Sequence, residues 1–147
     1  KLNMKPSKQY LLVPNGKSSS VRLAVVGAHL KGMPLHSQLV ERNARFIKSC
    51  KTARFYQLFA LANTTPPKPG LVRIKEGGDQ IELELYDLPQ ESIGSFFNLI
   101  PAPLGLGTIE LDDGSWVKGF ICEPVGIVGA TNISHYGGWK NYLKEMV

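Results

Sequence analysis

Three prolines fall within four residues of the segment Thr64-Thr65-Pro66-Pro67-Lys68-Pro69-Gly70, and this is the feature that most limits how the chain can fold. Each proline removes a ladder donor, so the segment cannot run through the middle of a sheet and reads as a stiff connection between strands. On either side, apolar residues come in short runs with a period of two. Phe55, Gln57, Phe59 and Leu61 share one face of such a run, and Tyr56 and Leu58 the other. Runs at 45 to 49 and 54 to 61, separated by the polar Cys50-Lys51-Thr52, are expected to pair as a hairpin. Strands are also expected at 71 to 74 and 81 to 88, flanking a Gly77-Gly78-Asp79 turn. A further hairpin joins 106 to 111 with 116 to 122 across Asp112-Asp113-Gly114-Ser115.

Helical signals are fewer and separated. Val21, Leu23, Val25 and Val26 make a first strand that ends in Gly27-Ala28, and Pro34 can open a short helix carrying Leu35, Leu39 and Val40. An amphipathic helix is expected over 90 to 99, with Ile93, Phe96, Phe97 and Ile100 on its apolar face. Trp139, Tyr142, Leu143 and Met146 place another after Gly137-Gly138. No internal repeat emerges, and adjacent hairpins with separated helices argue for an α+β fold. Residues 1 to 20, with Pro6, Pro14, Gly16 and Ser18-Ser19-Ser20, read as a linker or edge segment, and 21 to 147 as one folded domain. The chain does not begin with methionine, which suggests a piece of something longer.

Composition removes several function classes. Cys50 and Cys122 stand alone, fitting neither a CxxC motif nor a zinc cluster, and point weakly to a reduced, cytoplasmic setting. No apolar run approaches the roughly 20 residues needed to cross a bilayer, and no signal peptide is visible, so no membrane partner is expected. The triplets Asn63-Thr64-Thr65 and Asn132-Ile133-Ser134 match a glycosylation pattern that short sequences produce by chance. The net charge of +5 is scattered, without a basic run or aromatic-basic motif, so nucleic acid is not expected either. Some of those cations could instead serve a small anionic substrate.

The string Val-Val-Gly-Ala-His-Leu-Lys-Gly-Met-Pro-Leu-His at 25 to 36 resembles the opening signature of allophanate hydrolase C-terminal domains. Pro67-Lys68-Pro69-Gly70-Leu71, Ile81-Glu82-Leu83-Glu84-Leu85-Tyr86, the stretch from Ile100 to Gly107, Gly119-Phe120-Ile121-Cys122-Glu123 and Tyr136-Gly137-Gly138-Trp139 extend the likeness in order over most of 21 to 143. Pro34-Leu35-His36 looks more like the version in fungal urea amidolyase. More remotely, the turn Gly27-Ala28-His29-Leu30 is similar to the substrate-cradling turn of the γ-glutamyl cyclotransferase-like fold, which implies a small mixed β-barrel with flanking helices. Where the cyclotransferases carry a catalytic glutamate, this sequence has Leu99-Ile100-Pro101.

The resemblance implies a cofactor-free decarboxylase in urea degradation. An amidase domain of the same polypeptide would remove ammonia from allophanate, and this domain would decarboxylate the N-carboxycarbamate left behind. A homodimer formed through the full-length enzyme is left open. A cyclotransferase-like enzyme, or a noncatalytic module that docks or oligomerises the amidase, are the alternatives. Decarboxylation leaves negative charge on nitrogen, which calls for a proton delivered there and for a carboxylate stripped of water.

His29 is the catalytic candidate, beside Gly27 and Ala28, whose small side chains let a substrate approach backbone amides. His36 follows seven residues later, about one turn into the Pro34 helix, where it could face the same cleft and bind substrate; a metal held by the two histidines would need a third ligand that the sequence does not identify, so no metal is expected. Lys68, in the proline segment, is the first cation for a carboxylate, ahead of Arg54 and Arg73. Leu30 and Met33 could form an apolar wall, and Tyr56 could offer its hydroxyl if its strand face points inward. Glu84 either orients His29 or faces solvent as an alternating strand carboxylate. His135 reads as structural.

Overall fold

A computed structural model describes residues 19–147. Most of the expected linker, up to residue 18, lies outside the described residues. The alternating runs become eight strands: β1 (Ser20–Val25), β2 (Arg45–Lys51), β3 (Tyr56–Ala60), β4 (Pro69–Arg73), β5 (Glu82–Pro89), β6 (Leu104–Glu110), β7 (Trp116–Cys122) and β8 (Thr131–Asn132). Three short helices accompany them: α1 (His36–Val40), α2 (Ile93–Phe97) and α3 (Trp139–Glu145). The result is the mixed α and β architecture expected.

Two sheets form, in the orders β2-β5-β1-β7-β6 and β4-β3-β8. Every neighbouring pair is antiparallel except β1 with β7. In place of a closed barrel, the larger sheet has β2 and β6 as its two edges, joined at one end by a single bridge between Thr52 and Leu111. Leu23, Val25, Leu39, Leu58, Leu83, Leu85, Phe96 and Ile109 belong to one continuous core.

The hairpin across Asp112 to Ser115 forms as expected, with Glu110 opposite Trp116 and Leu104 opposite Cys122. The hairpin expected between 45 to 49 and 54 to 61 does not. Thr52 turns the chain out of the larger sheet: its amide donates to the Ile81 carbonyl and its hydroxyl accepts from the Ile81 amide. Strand β2 therefore pairs with β5, whereas β3 pairs with β4 in the second sheet. Pro69 is the first residue of β4, opposite Ala60, a place where a missing donor is tolerated. Consequently the runs at 71 to 74 and 81 to 88 belong to different sheets.

The helix expected over 90 to 99 is shorter, a 3-10 turn at Gln90–Ser92 followed by α2. Phe96 is fully buried, but the adjacent Phe97 points outward and is 39% exposed, because successive residues cannot share one helical face. Helix α1 begins two residues after Pro34; it buries Leu39 and exposes Val40. Helix α3 covers the core with Trp139. Among the described residues no helix is long and apolar enough to cross a membrane.

Candidate active site

Strand β1 delivers four buried residues in succession, Val26, Gly27, Ala28 and His29, to the point where the chain leaves the larger sheet. The turn is closed by Leu30 N–H donating to the Gly27 carbonyl at 3.0 Å, and the loop returns when Leu35 N–H donates to the Ala28 carbonyl at 2.8 Å. Gly27 is required here by a close approach, since a Cβ would overlap the Pro69 ring. That contact brings the proline segment, and Lys68 with it, against the His29 turn. The two motifs, far apart in sequence, thus form one cleft.

The cleft holds about 40 Å³, where a single water needs roughly 10–15 Å³. Gly27, Ala28, His29 and Lys68 line it together with Val26, Leu99, Ile100, Pro101 and Phe120, and no carboxylate does. Apolar walls therefore surround a small polar floor.

His29 is 8% exposed, and its Nε2 lies 2.7 Å from Gln38 Oε1. The Gln38 oxygen, as placed, only accepts, which fits a ring with its proton on Nε2 and its lone pair on Nδ1. Nδ1 has no hydrogen-bond partner among the described residues, yet no buried side-chain polar atom there is left unpaired, so Nδ1 keeps access to the outside of the packed core. The edge of its ring meets Phe96 at a centroid distance of 5.2 Å, and Phe120 stands 6.3 Å away. Burial pushes the His29 imidazole below its ordinary range, Gln38 opposes this, and the charges of Lys68 and His36 reinforce it. Burial thus favours the uncharged ring.

Lys68 is 9% exposed. Its ammonium has only long contacts, 3.4 Å to the Thr65 carbonyl and 3.5 Å to the Pro66 carbonyl, and no carboxylate partner among the described residues. Buried lysines are ordinarily paired. The amides of Ala28 and His29 also donate to no acceptor among the described residues, although both residues are buried. Lys68, Ala28 and His29 all line the one cleft, and their ammonium and two N–H groups have hydrogen-bonding capacity to spare among the described residues, which suits an anion.

Other sequence candidates fall around this cleft or away from it. His36 braces the turn from behind: its Nδ1 donates to the His29 carbonyl at 3.0 Å, and its ring packs 5.8 Å from that of Tyr86. Leu30 is in the core and borders a second cleft with Glu84 and Lys140. Met33 packs half-buried against the core rather than along the His29 cleft. Tyr56 does point inward, but into the opposite end of the fold, where its hydroxyl accepts from Arg73 at 3.1 Å and from the Glu110 amide at 2.9 Å. Arg73 also pairs with Glu110, so its charge is already matched. Arg54 is exposed, and His135 stacks on Tyr136 at the surface.

Glu84 does not face solvent. Its Oε1 accepts from the Lys31 amide and the Tyr86 hydroxyl, each at 2.9 Å, and Lys140 lies 3.6 Å from Oε2. It anchors the loop that carries His29. Gln38, Phe96 and Phe120 do not stand out as site residues in the sequence; a neutral amide and two core rings carry no motif of their own.

The profile of the allophanate hydrolase C-terminal domain family matches residues 21–144. Urea amidolyase of Saccharomyces cerevisiae is 47% identical over 98% of the chain, which spans 8% of that protein. An allophanate hydrolase structure from Kluyveromyces lactis is 46% identical with a TM-score of 0.86, over 97% of this chain and 23% of that one. A mouse AIG2-like protein, 16% identical over 74% of this chain and 82% of its own with a TM-score of 0.55, shares the fold alone, as the γ-glutamyl cyclotransferase-like turn led one to expect. The chain therefore belongs to the allophanate hydrolase C-terminal domain family.

Proposed function

We propose that the His29 cleft decarboxylates N-carboxycarbamate, the dianion an amidase leaves from allophanate, with the amidase domain in the same polypeptide as this chain. In the balanced step the dianion and one proton give carbon dioxide and the carbamate monoanion. One C–N bond breaks, its electron pair stays on nitrogen, and nitrogen takes the proton. Carbamate then falls to ammonia and carbon dioxide without help.

The observation that carries this reading is a buried Lys68 ammonium with no carboxylate partner among the described residues, in the same cleft as a buried, neutral His29. Lys68 and the amides of Ala28 and His29 hold the carboxylate that is retained. The departing carboxylate lies against Leu99, Ile100 and Phe120, where loss of water favours neutral carbon dioxide over the charged group. His29 supplies the proton from Nδ1. A dianion favours the imidazolium, so the substrate raises the affinity of His29 for the proton that it then delivers.

Cyclotransferase chemistry would need a carboxylate in this cleft, and Leu99-Ile100-Pro101 line it instead. To test the proposal, an amidase acting on allophanate is run with and without this chain, and carbon dioxide release is followed in time. Faster release with the chain present supports catalysis. Identical time courses would leave only the docking role.

A further inference from the structure

The contact between His29 and Gln38 is shorter than most side-chain hydrogen bonds here and joins the reactive ring to a residue outside the recognised motif. Gln38 lies in α1, half-buried, and is itself fixed on the backbone: its amide donates to the Leu35 carbonyl at 3.0 Å, and its carbonyl accepts from Arg42 Nη1 at 3.0 Å. Its side chain is the one polar group among the described residues that bonds the His29 ring. The ring's other neighbours are Phe96 and Phe120, which are apolar. Charged or titratable groups acting on it are Lys68, from the proline segment, and His36, from α1.

We infer that Gln38 is a positioning residue that sets the tautomer of His29, fixing a proton on Nε2 and leaving Nδ1 bare to exchange the catalytic proton with a bound dianion. This rests on the decarboxylase reading for its chemistry, but the tautomer is a property of the chain alone. Neutrality is the point of the amide. A carboxylate at the same place would hold the imidazolium permanently and compete with the substrate as its counter-ion. An amide fixes the ring and leaves the charge to arrive with the substrate. If the amide were turned the other way, its nitrogen would donate to Nε2 and the proton would sit on Nδ1, the reverse assignment.

Nitrogen chemical shifts of the imidazole, measured by NMR on the chain without substrate, distinguish these arrangements. The wild-type chain should show His29 protonated at Nε2, Gln38→Ala should show a mixture of tautomers, and Gln38→Glu should move the titration midpoint of His29 upward by about one pH unit or more. In the coupled amidase assay, the midpoint of the rate against pH should move in the same direction in Gln38→Glu. A wild-type ring protonated at Nδ1, or tautomer populations unchanged in Gln38→Ala, would overturn the assignment. A correct tautomer with no decarboxylation would instead refute the reaction and leave the assignment standing.

Discussion

Two clefts flank the loop from Gly27 to His36, and they treat charge in opposite ways. On one side, the Glu84 carboxylate is met by the Lys31 amide, the Tyr86 hydroxyl and Lys140. On the other, the Lys68 ammonium has two long carbonyl contacts, and the amides of Ala28 and His29 have none among the described residues. Full pairing marks a brace, and a buried cation without its anion marks a site that expects one. Under the proposed reaction the loop therefore has a structural side and a substrate side, and His29 lines the second.

This contrast is broken most severely at Lys68. Lys68→Met keeps most of the stem and deletes the charge, so a charge-assisted contact worth about 1.5–3 kcal/mol disappears from the substrate complex. Activity on N-carboxycarbamate should drop roughly tenfold to a hundredfold, while the thermal midpoint holds or rises because an unpaired buried charge has gone. An unfolding midpoint that falls with the activity would mean that Lys68 is a brace after all.

On the other side of the loop the order of effects reverses. Glu84→Gln keeps an oxygen for the Lys31 amide and the Tyr86 hydroxyl but removes the charge that strengthens both bonds and turns an amide NH2 toward Lys140, and should cost about 1–3 kcal/mol in urea unfolding. Burial, then the hydrogen bond and charge of Glu84, push the Tyr86 phenol well above its ordinary value. In Glu84→Gln the phenol should ionise at lower pH, which absorbance of tyrosinate detects. No movement would show that burial alone sets it.

The smallest expected effect is on the pH dependence of stability. His29 has a folded pKa below its ordinary value, so as pH falls below about 6.5 the unfolded chain takes up the proton first. Its contribution to stability is fully present above that pH and is lost as pH drops toward the folded value. The wild type should therefore lose stability relative to His29→Gln when urea unfolding is compared at decreasing pH below about 6.5.

How far this could be read from sequence differs between the same regions. The hairpin joining β6 and β7 was legible because its turn residues and both partners are adjacent in the chain. The pairing of β2 with β5 was not, since its partners are distant and Thr52 looks like any polar turn residue. At the other cleft, His29, Gly27 and Lys68 stand in motifs visible in the sequence and do line one cleft, as does the position where Leu99-Ile100-Pro101 stand in place of a glutamate. Gln38 was hidden because its role depends on a helix facing a loop across space. Tyr56 illustrates the reverse: its hydroxyl was a candidate only if its strand face pointed inward, and the alternation that turned it inward could not say which end of the core it would enter.

The central claim is that the proton needed by the leaving nitrogen passes through His29. N-carboxycarbamate generated in place by an excess of amidase, with dissolved carbon dioxide followed by stopped flow, isolates this step in the wild type and in His29→Ala. The account predicts that the wild-type chain accelerates carbon dioxide release and that His29→Ala falls to the rate without the chain, with its circular dichroism unchanged. Acceleration by a folded His29→Ala equal to that of the wild type would contradict it.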